Sequence, residues 1–435
     1  MDNHKGIVKN SKSVINAWSS YDIANSAYNL IISTVLYPIY YTETTVSAYG
    51  SEMVKFMGYS IKNTVLYEYG IALGYFVIIL LTLTLSGMAD VGGLRKRFMQ
   101  IFTFIGAFAC SGLYLFTGEN LWLGAGLPAL AVIGFAGSLV YYNSFLPLIA
   151  TKDRHDKVSA RGFSLGYAGS MILLIICLVI IESYESLGFN TKLDAVQTCF
   201  LIVGVWWLGI AQIAFRFLKE KRTKVRINSS ILFMGFKEIR SVFVELKGSR
   251  STSLFLIAFF FLSMGVQVIM IVAALFGSTE LGIEGTKLII TIIIIQLLGI
   301  VGSILFSRVS MKLGNKTSLM SMLIIWITIC VAAYFINTEI HFYIMAAFVG
   351  LVMGGIQSQA RSTFSKLIPS KSKDTASYFS FYDSTEKLAI VLGMFSFGLL
   401  EHFTGSMRSS ALLLSVFFIL SFVLIAMAKL KPVEK

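Results

Sequence analysis

The chain of 435 residues is 56% hydrophobic and only 14% charged, carries 35 phenylalanines, and has a formal net charge of +13. No soluble domain could keep that balance off its surface, so water-soluble classes are excluded and a polytopic membrane protein remains. Runs such as Ile289 to Gly299 and Met171 to Ile181 are apolar on every face, which excludes the alternating strands of an outer-membrane barrel and leaves helices.

The N-terminal tail, residues 1–16, holds Lys5, Lys9 and Lys12 but neither an apolar signal region nor a cleavage site, so the first helix is expected to insert itself. That span is predicted over 17–41. Asp22, Asn25, Ser26, Asn29 and Ser33 interrupt its apolar run, and at about 100° per residue they share one face. An ionised Asp deep in hydrocarbon costs roughly 2.5 to 3.5 kcal/mol on insertion scales, so this face is expected to turn toward a bundle interior or a watery path. Asp22 is the leading candidate for proton coupling or cation recognition, the alternative being a permanent structural pair with a basic residue. Asn25 and Asn29 suit polar substrate groups, or equally interhelical hydrogen bonds.

Further spans are predicted at 65–86, 98–117, 121–142, 161–183, 196–218, 253–276, 286–306, 317–336, 340–360, 378–400 and 409–429, twelve in all. Gly70 with Gly74, Gly162 with Gly166 and Gly350 with Gly354 have the spacing of close helix contact. The basic residues test the count independently. Apart from Lys55, Lys62, Lys192, Lys287 and Arg408, and Lys387 inside a span, every Lys and Arg falls on one alternate set of segments. Both termini are therefore predicted on the cytoplasmic side of a cell inner membrane. Topology and attraction to anionic lipid account for the positive charge, with no nucleic acid required.

Residues 219–252 form a basic central loop dividing six spans, 17–218, from six more, 253–429, with a short tail at 430–435. An amphipathic piece near Ile231 to Leu246 could lie along the membrane surface. Span eleven carries a second charged constellation: Asp383 and Lys387 at i, i+4, with Glu386 and Tyr382 beside them. It reads either as one partner of an ion pair with the first half that breaks during transport, or as a local pair within one helix. Tyr142 and Tyr382 could line an aromatic wall, and Gln267 and Gln296, inside spans seven and eight, need polar partners. Cys110, Cys177, Cys199 and Cys330 lie in apolar spans, while His4, His155, His341 and His402 lie in loops or tails. No disulfide framework, metal, cofactor or catalytic motif is expected, and no enzyme.

Between spans two and three, Ser86-Gly-Met-Ala-Asp90-Val-Gly-Gly93-Leu-Arg95-Lys96-Arg97 resembles the signature loop of the major facilitator superfamily, with Ser86 and Val91 departing from its usual Gly and Arg. Trp18 to Tyr28 followed by Pro38 to Tyr41, Tyr142-Asn143 to Pro147, Arg161 to Tyr167, and Arg361-Ser362 through Pro369 to Tyr382 narrow the resemblance to the vacuole-effluxer-like permeases. That branch contains autophagy-related vacuolar amino-acid effluxers of fungi and many bacterial members. The resemblance implies an all-α integral membrane protein of twelve helices in two pseudo-symmetric six-helix bundles, transporting by alternating access. Its conformational latch would involve Asp90, Gly93 and Arg95, with Arg161 and Arg361 from the other matched segments. Met311 stands at the Asp position of the equivalent second-half loop, so the latch is one-sided. Export of an amino acid or another small polar or amphipathic solute is the expected function, with protons an open partner, membrane lipid the medium and the monomer the expected state. A carrier of a lipid-like solute and a non-transporting receptor or scaffold are the alternatives.

Overall fold

A computed structural model describes residues 8–220, 229–283, 285–370, 372–404 and 406–430. Lys5, the basic run Lys221 to Arg226, Lys371, and Lys431 and Lys435 of the tail lie outside the described residues. Eleven of the described helices are long and apolar enough to cross a membrane. The remaining predicted span, 17–41, falls on a helical path that runs from Lys12 to Tyr49 but is divided: α1 (Lys12–Ala27), a π-helical segment (Tyr28–Leu36) and α2 (Tyr37–Tyr49). An antiparallel hairpin of β1 (Met53–Phe56) and β2 (Tyr59–Lys62) follows, with Phe56 opposite Tyr59. Its two turn residues, Met57 and Gly58, both have positive φ (51° and 87°), the geometry of a tight turn matched to strand twist.

The chain continues through α3 (Asn63–Gly92), α4 (Arg95–Gly112), α5 (Leu121–Ser144), the short α6 (Leu146–Ile149), α7 (His155–Glu182) and α8 (Lys192–Phe217). Then come α9 (Ser229–Gly248), α10 (Arg250–Leu281), α11 (Thr286–Leu313), α12 (Asn315–Phe335), α13 (Glu339–Leu367), α14 (Thr375–Thr404) and α15 (Met407–Met427). Most of these helices outrun the predicted apolar stretches by several residues, because polar turns at the membrane boundary stay helical when capped. Thr191 and Asp194 form a reciprocal capping box at the start of α8, and Ser249, Thr338 and Ser406 cap α10, α13 and α15. At the other end of a helix, Gly93 takes a left-handed conformation (φ 61°) and its N–H closes α3 on the Ala89 carbonyl.

The chain clusters into two compact units. Lys12–Asn143 and Ala168–Gly235 belong to the first; Val8–Ser11, Ser144–Tyr167 and Phe236–Lys435 belong to the second. The first turns of α7 are thus grouped with helices from the second half of the sequence. Within the second unit, α11 and α13 approach so closely that a Cβ on Gly354 would meet the Gly299 carbonyl, and one on Gly302 the Leu351 carbonyl. In the first unit a Cβ on Gly70 would lie 2.7 Å from the Ala125 carbonyl oxygen and one on Gly74 2.8 Å from that of Ala129. Backbone cannot rotate out of the way as a side chain can. Gly302→Ala and Gly354→Ala are therefore expected to cost about 1–3 kcal/mol or more each, read as a fall in thermal unfolding midpoint in detergent. Gly209→Ala, with nothing within 4 Å of the new methyl, should leave it unchanged.

Candidate functional site

In the first unit the predicted polar face of α1 forms a bonded group. Trp18 stacks on Tyr142 of α5 with ring centroids 4.4 Å apart, and its indole N–H donates to the Tyr142 carbonyl at 2.9 Å. This fixes the Tyr142 ring so that its hydroxyl donates to Asp22 Oδ2 at 2.7 Å. Asp22 is only 5% exposed, and one turn further Asn25 is 1% exposed. Ser26 donates weakly to Asn25 Oδ1 at 3.5 Å, while among the described residues Asn25 Nδ2 has no hydrogen-bond partner. Tyr21, on the next face, shares a 2.6 Å hydrogen bond with Thr103 of α4.

Directly beyond this group the helix widens. Residues 28–36 are π-helical, Asn29 is exposed and Ser33 half-buried. Thr34 Oγ1 donates to the Asn29 carbonyl at 2.8 Å, an i, i+5 relation. π-helical geometry is rare and is frequently found at functional sites. This one places Asn29 and Ser33 differently from the 100° spacing assumed for a regular helix.

In the second unit the charges of span eleven are gathered on α14. Lys387 Nζ lies 2.8 Å from Glu386 Oε2 and 3.5 Å from Asp383 Oδ1. Gln267 of α10 donates to Glu386 Oε1 at 3.0 Å. The Asp383 and Lys387 side chains are each 5% exposed and that of Glu386 is 21% exposed. With all three ionised the group carries one negative charge in excess. The neighbouring Tyr382 is packed between Phe259 of α10 and Phe364 of α13, at 4.1 and 4.9 Å between centroids, so it forms part of an aromatic stack. Gln296 is buried on α11, its Oε1 without a hydrogen-bond partner among the described residues.

Of the residues expected in a latch, Asp90, Gly93 and Arg95 belong to the first unit and Arg161 and Arg361 to the second. Asp90, at the end of α3, pairs with Arg95 at 2.5 Å, and Arg95 also holds Glu220 at 2.8 Å. Burial pushes the Glu220 carboxyl above its ordinary range, against the opposing pull of Arg95. In the second unit, Arg361 of α13 donates from Nε to Ser159 Oγ and from Nη2 to the Ser159 carbonyl, both at 2.9 Å. Its guanidinium also lies 4.2 Å from the Phe163 ring centroid. Arg161 is exposed.

One buried charge was missed by sequence reasoning. Asp156, 1% exposed at the start of α7, accepts four hydrogen bonds. They come from Lys366 (2.6 Å) and Ser310 (2.8 Å) to Oδ2, and from Ser362 (2.8 Å) and Asn315 (2.9 Å) to Oδ1. Lys152 adds a clamp by donating to the carbonyls of Lys366 and Ile368 at the end of α13. The available signal was a lone acid pair, Asp153 and Asp156, inside a loop otherwise rich in Lys and Arg.

Comparison with known proteins gives the chain its relatives. The family described as vacuole effluxer Atg22 like matches over residues 10–432. The MFS-type transporter YxiO of Bacillus subtilis is 30% identical over 416 residues, covering 94% of each chain. Autophagy-related protein 22 of Yarrowia lipolytica is 24% identical, covering 84% of this chain and 76% of its own. Among solved structures, the human organic anion transporter MFSD10 superposes with a TM-score of 0.70 at 13% identity, covering 95% of this chain and 99% of its own. The fucose:proton symporter FucP of E. coli does so with a TM-score of 0.68 at 12% identity, covering 96% and 98%. The chain therefore has the all-α major facilitator fold and belongs to the vacuole effluxer Atg22-like family of membrane transporters.

Proposed function

We propose that this secondary transporter exports a small polar or amphipathic solute, such as an amino acid, by alternating access, with proton movement coupled to the flux. The observation that carries the proposal is that a helix in each unit bears buried ionisable groups, Asp22 on α1 and Asp383 and Lys387 on α14, the latter two beside the half-buried Glu386. Burying such groups costs several kcal/mol each unless they are paired. A protein that served only as a scaffold in lipid would have no need of them. Asp22 has its Tyr142 donor and the α14 group one acid in excess of its lysine, so both can exchange a partner or a proton as the protein changes state. Asn25, Ser26, Asn29, Gln267 and Gln296 would then supply polar contacts along the path, and Tyr142 and Tyr382 its rigid aromatic supports. The family description as an effluxer supports export, and the relation to a fucose:proton symporter supports a proton as coupling ion.

In this reading the predicted bundles are 17–218 and 253–429, the protein acts as a monomer in the cell (inner) membrane, and both termini face the cytoplasm. The test is counterflow in proteoliposomes loaded with a pooled metabolite library, with and without a pH gradient. Wild type should accumulate one class of solute saturably, and Asp22→Asn should lose at least about tenfold in initial rate, the equivalent of one hydrogen bond to a charged group. Absence of flux for every compound under every gradient would favour a receptor or scaffold. Flux confined to lipid-like compounds would change the substrate class.

A further inference from the structure

α9 precedes the α10 span by a single residue, Ser249, and its Phe236–Gly248 part shows two contrasting sides. Val242 and Leu246 are 1% and 6% exposed. On the other side Phe236, Arg240, Phe243, Val244 and Lys247 recur at i, i+4, i+7, i+8 and i+11, a single stripe on a helix, with Lys237 flanking it. Phe236, Phe243 and Val244 are 56%, 53% and 62% exposed, and the three basic side chains are exposed as well. No acid lies on the stripe; Glu238 and Glu245 fall to its flanks and rear.

We infer that this stripe is a docking face for anionic phospholipid headgroups, in the leaflet on the side of the basic loops. Three observations select that occupant. The first is placement: α9 runs into α10 at Arg250, and Phe243 packs against Phe381, in the second turn of the spanning α14, at 5.9 Å between ring centroids. Both contacts hold α9 at the end of spanning helices, where headgroups lie. The second is composition. Phenylalanine and valine interleaved with Lys and Arg match the boundary between acyl chain and headgroup, where rings enter hydrocarbon and long cationic side chains reach outward to phosphate. The third is charge: three exposed cations with no acid on the stripe complement a negatively charged surface.

The face is independent of the transport reading, since none of its residues belongs to the Asp22 or α14 groups. The experiment uses the full chain in nanodiscs, with bimane attached at Phe236→Cys or, as a second site on the same stripe, Val244→Cys. The native cysteines are buried, and the labelled wild type gives the background. Nitroxide-labelled phosphatidylglycerol is titrated into phosphatidylcholine discs, with nitroxide-labelled phosphatidylcholine in parallel. Each basic residue near the surface should enrich the anionic lipid roughly fivefold, so half-quenching should come at a mole fraction at least about tenfold lower for phosphatidylglycerol. The triple variant Lys237→Gln, Arg240→Gln, Lys247→Gln should bring the two curves together while quenching persists, and about 0.5 M salt should do so in part. Equal quenching by both lipids in the unmodified stripe, or none by either at both label sites, overturns the inference. The second result would mean that α9 is covered by protein or stands off the membrane.

Discussion

Asp156→Ala should destabilise the protein more than any other single substitution at its polar positions. Four donors converge on the two oxygens of this carboxylate, and one of them is Lys366, whose side chain is only 13% exposed. Without Asp156 the ammonium keeps Asn315 Oδ1 at 2.7 Å as a neutral partner and loses its counter-charge. Removing one member of a buried pair typically costs about 3–5 kcal/mol, most of it the penalty of the charge left behind. The expected result is a fall of roughly 5 °C or more in the thermal unfolding midpoint of purified protein. Removing Lys366 as well, with Met in its place and Leu at 156, should recover part of the loss, because the orphaned cation is gone; a cycle through the single and double variants should give a coupling of at least about 1 kcal/mol. An Asp156→Ala protein as stable as wild type would show that solvent, not Asp156, compensates Lys366.

The Asp156 group also marks the limit of what the sequence made legible. Membrane class, helical content and the eleven long spans follow from apolar run length alone, since hydrocarbon demands about twenty such residues per crossing. Asp22 and Lys387 were visible because a charge inside an apolar run has no inexpensive explanation. Asp156 sits in a polar loop, where an acid has many inexpensive explanations, and its partners Ser310, Asn315, Ser362 and Lys366 are 154 to 210 positions away. Nothing local distinguishes it from the exposed Asp153 three residues earlier. The π segment has no local signature either: Tyr28-Asn-Leu-Ile-Ile-Ser33 reads as ordinary amphipathic helix. The hairpin at 53–62 carries a readable local signal, two short strands around Met57-Gly58. Within α14, Lys387 makes local contacts with both Asp383 and Glu386.

Those contacts set the second large expectation, that Lys387→Met abolishes transport while Lys387→Arg retains it within about tenfold. In wild type one ammonium faces two carboxylates, so the group holds a single excess negative charge. Taking away the ammonium leaves Asp383 and Glu386 on one face of α14 with only Gln267 as a bonded donor among the described side chains, two acids without the counter-charge that held them. If the cost of the unpaired acids, about 3–5 kcal/mol, falls on one state of the transport cycle, it corresponds to roughly two to three orders of magnitude in rate. The acids should rank by burial: Asp383→Asn, at a side chain 5% exposed, should impair flux more than Glu386→Gln, where a 21% exposed side chain leaves room for water. Initial rates of counterflow for the solute that wild type accumulates measure all four variants, alongside unfolding midpoints to separate folding from function. Restoring net charge by combining Lys387→Met with Glu386→Gln should recover stability before it recovers flux, because the lone Asp383 then regains its single charge but not the partner it exchanges. Wild-type rates in Lys387→Met would mean that the α14 charges serve only to hold α10 and α14 together.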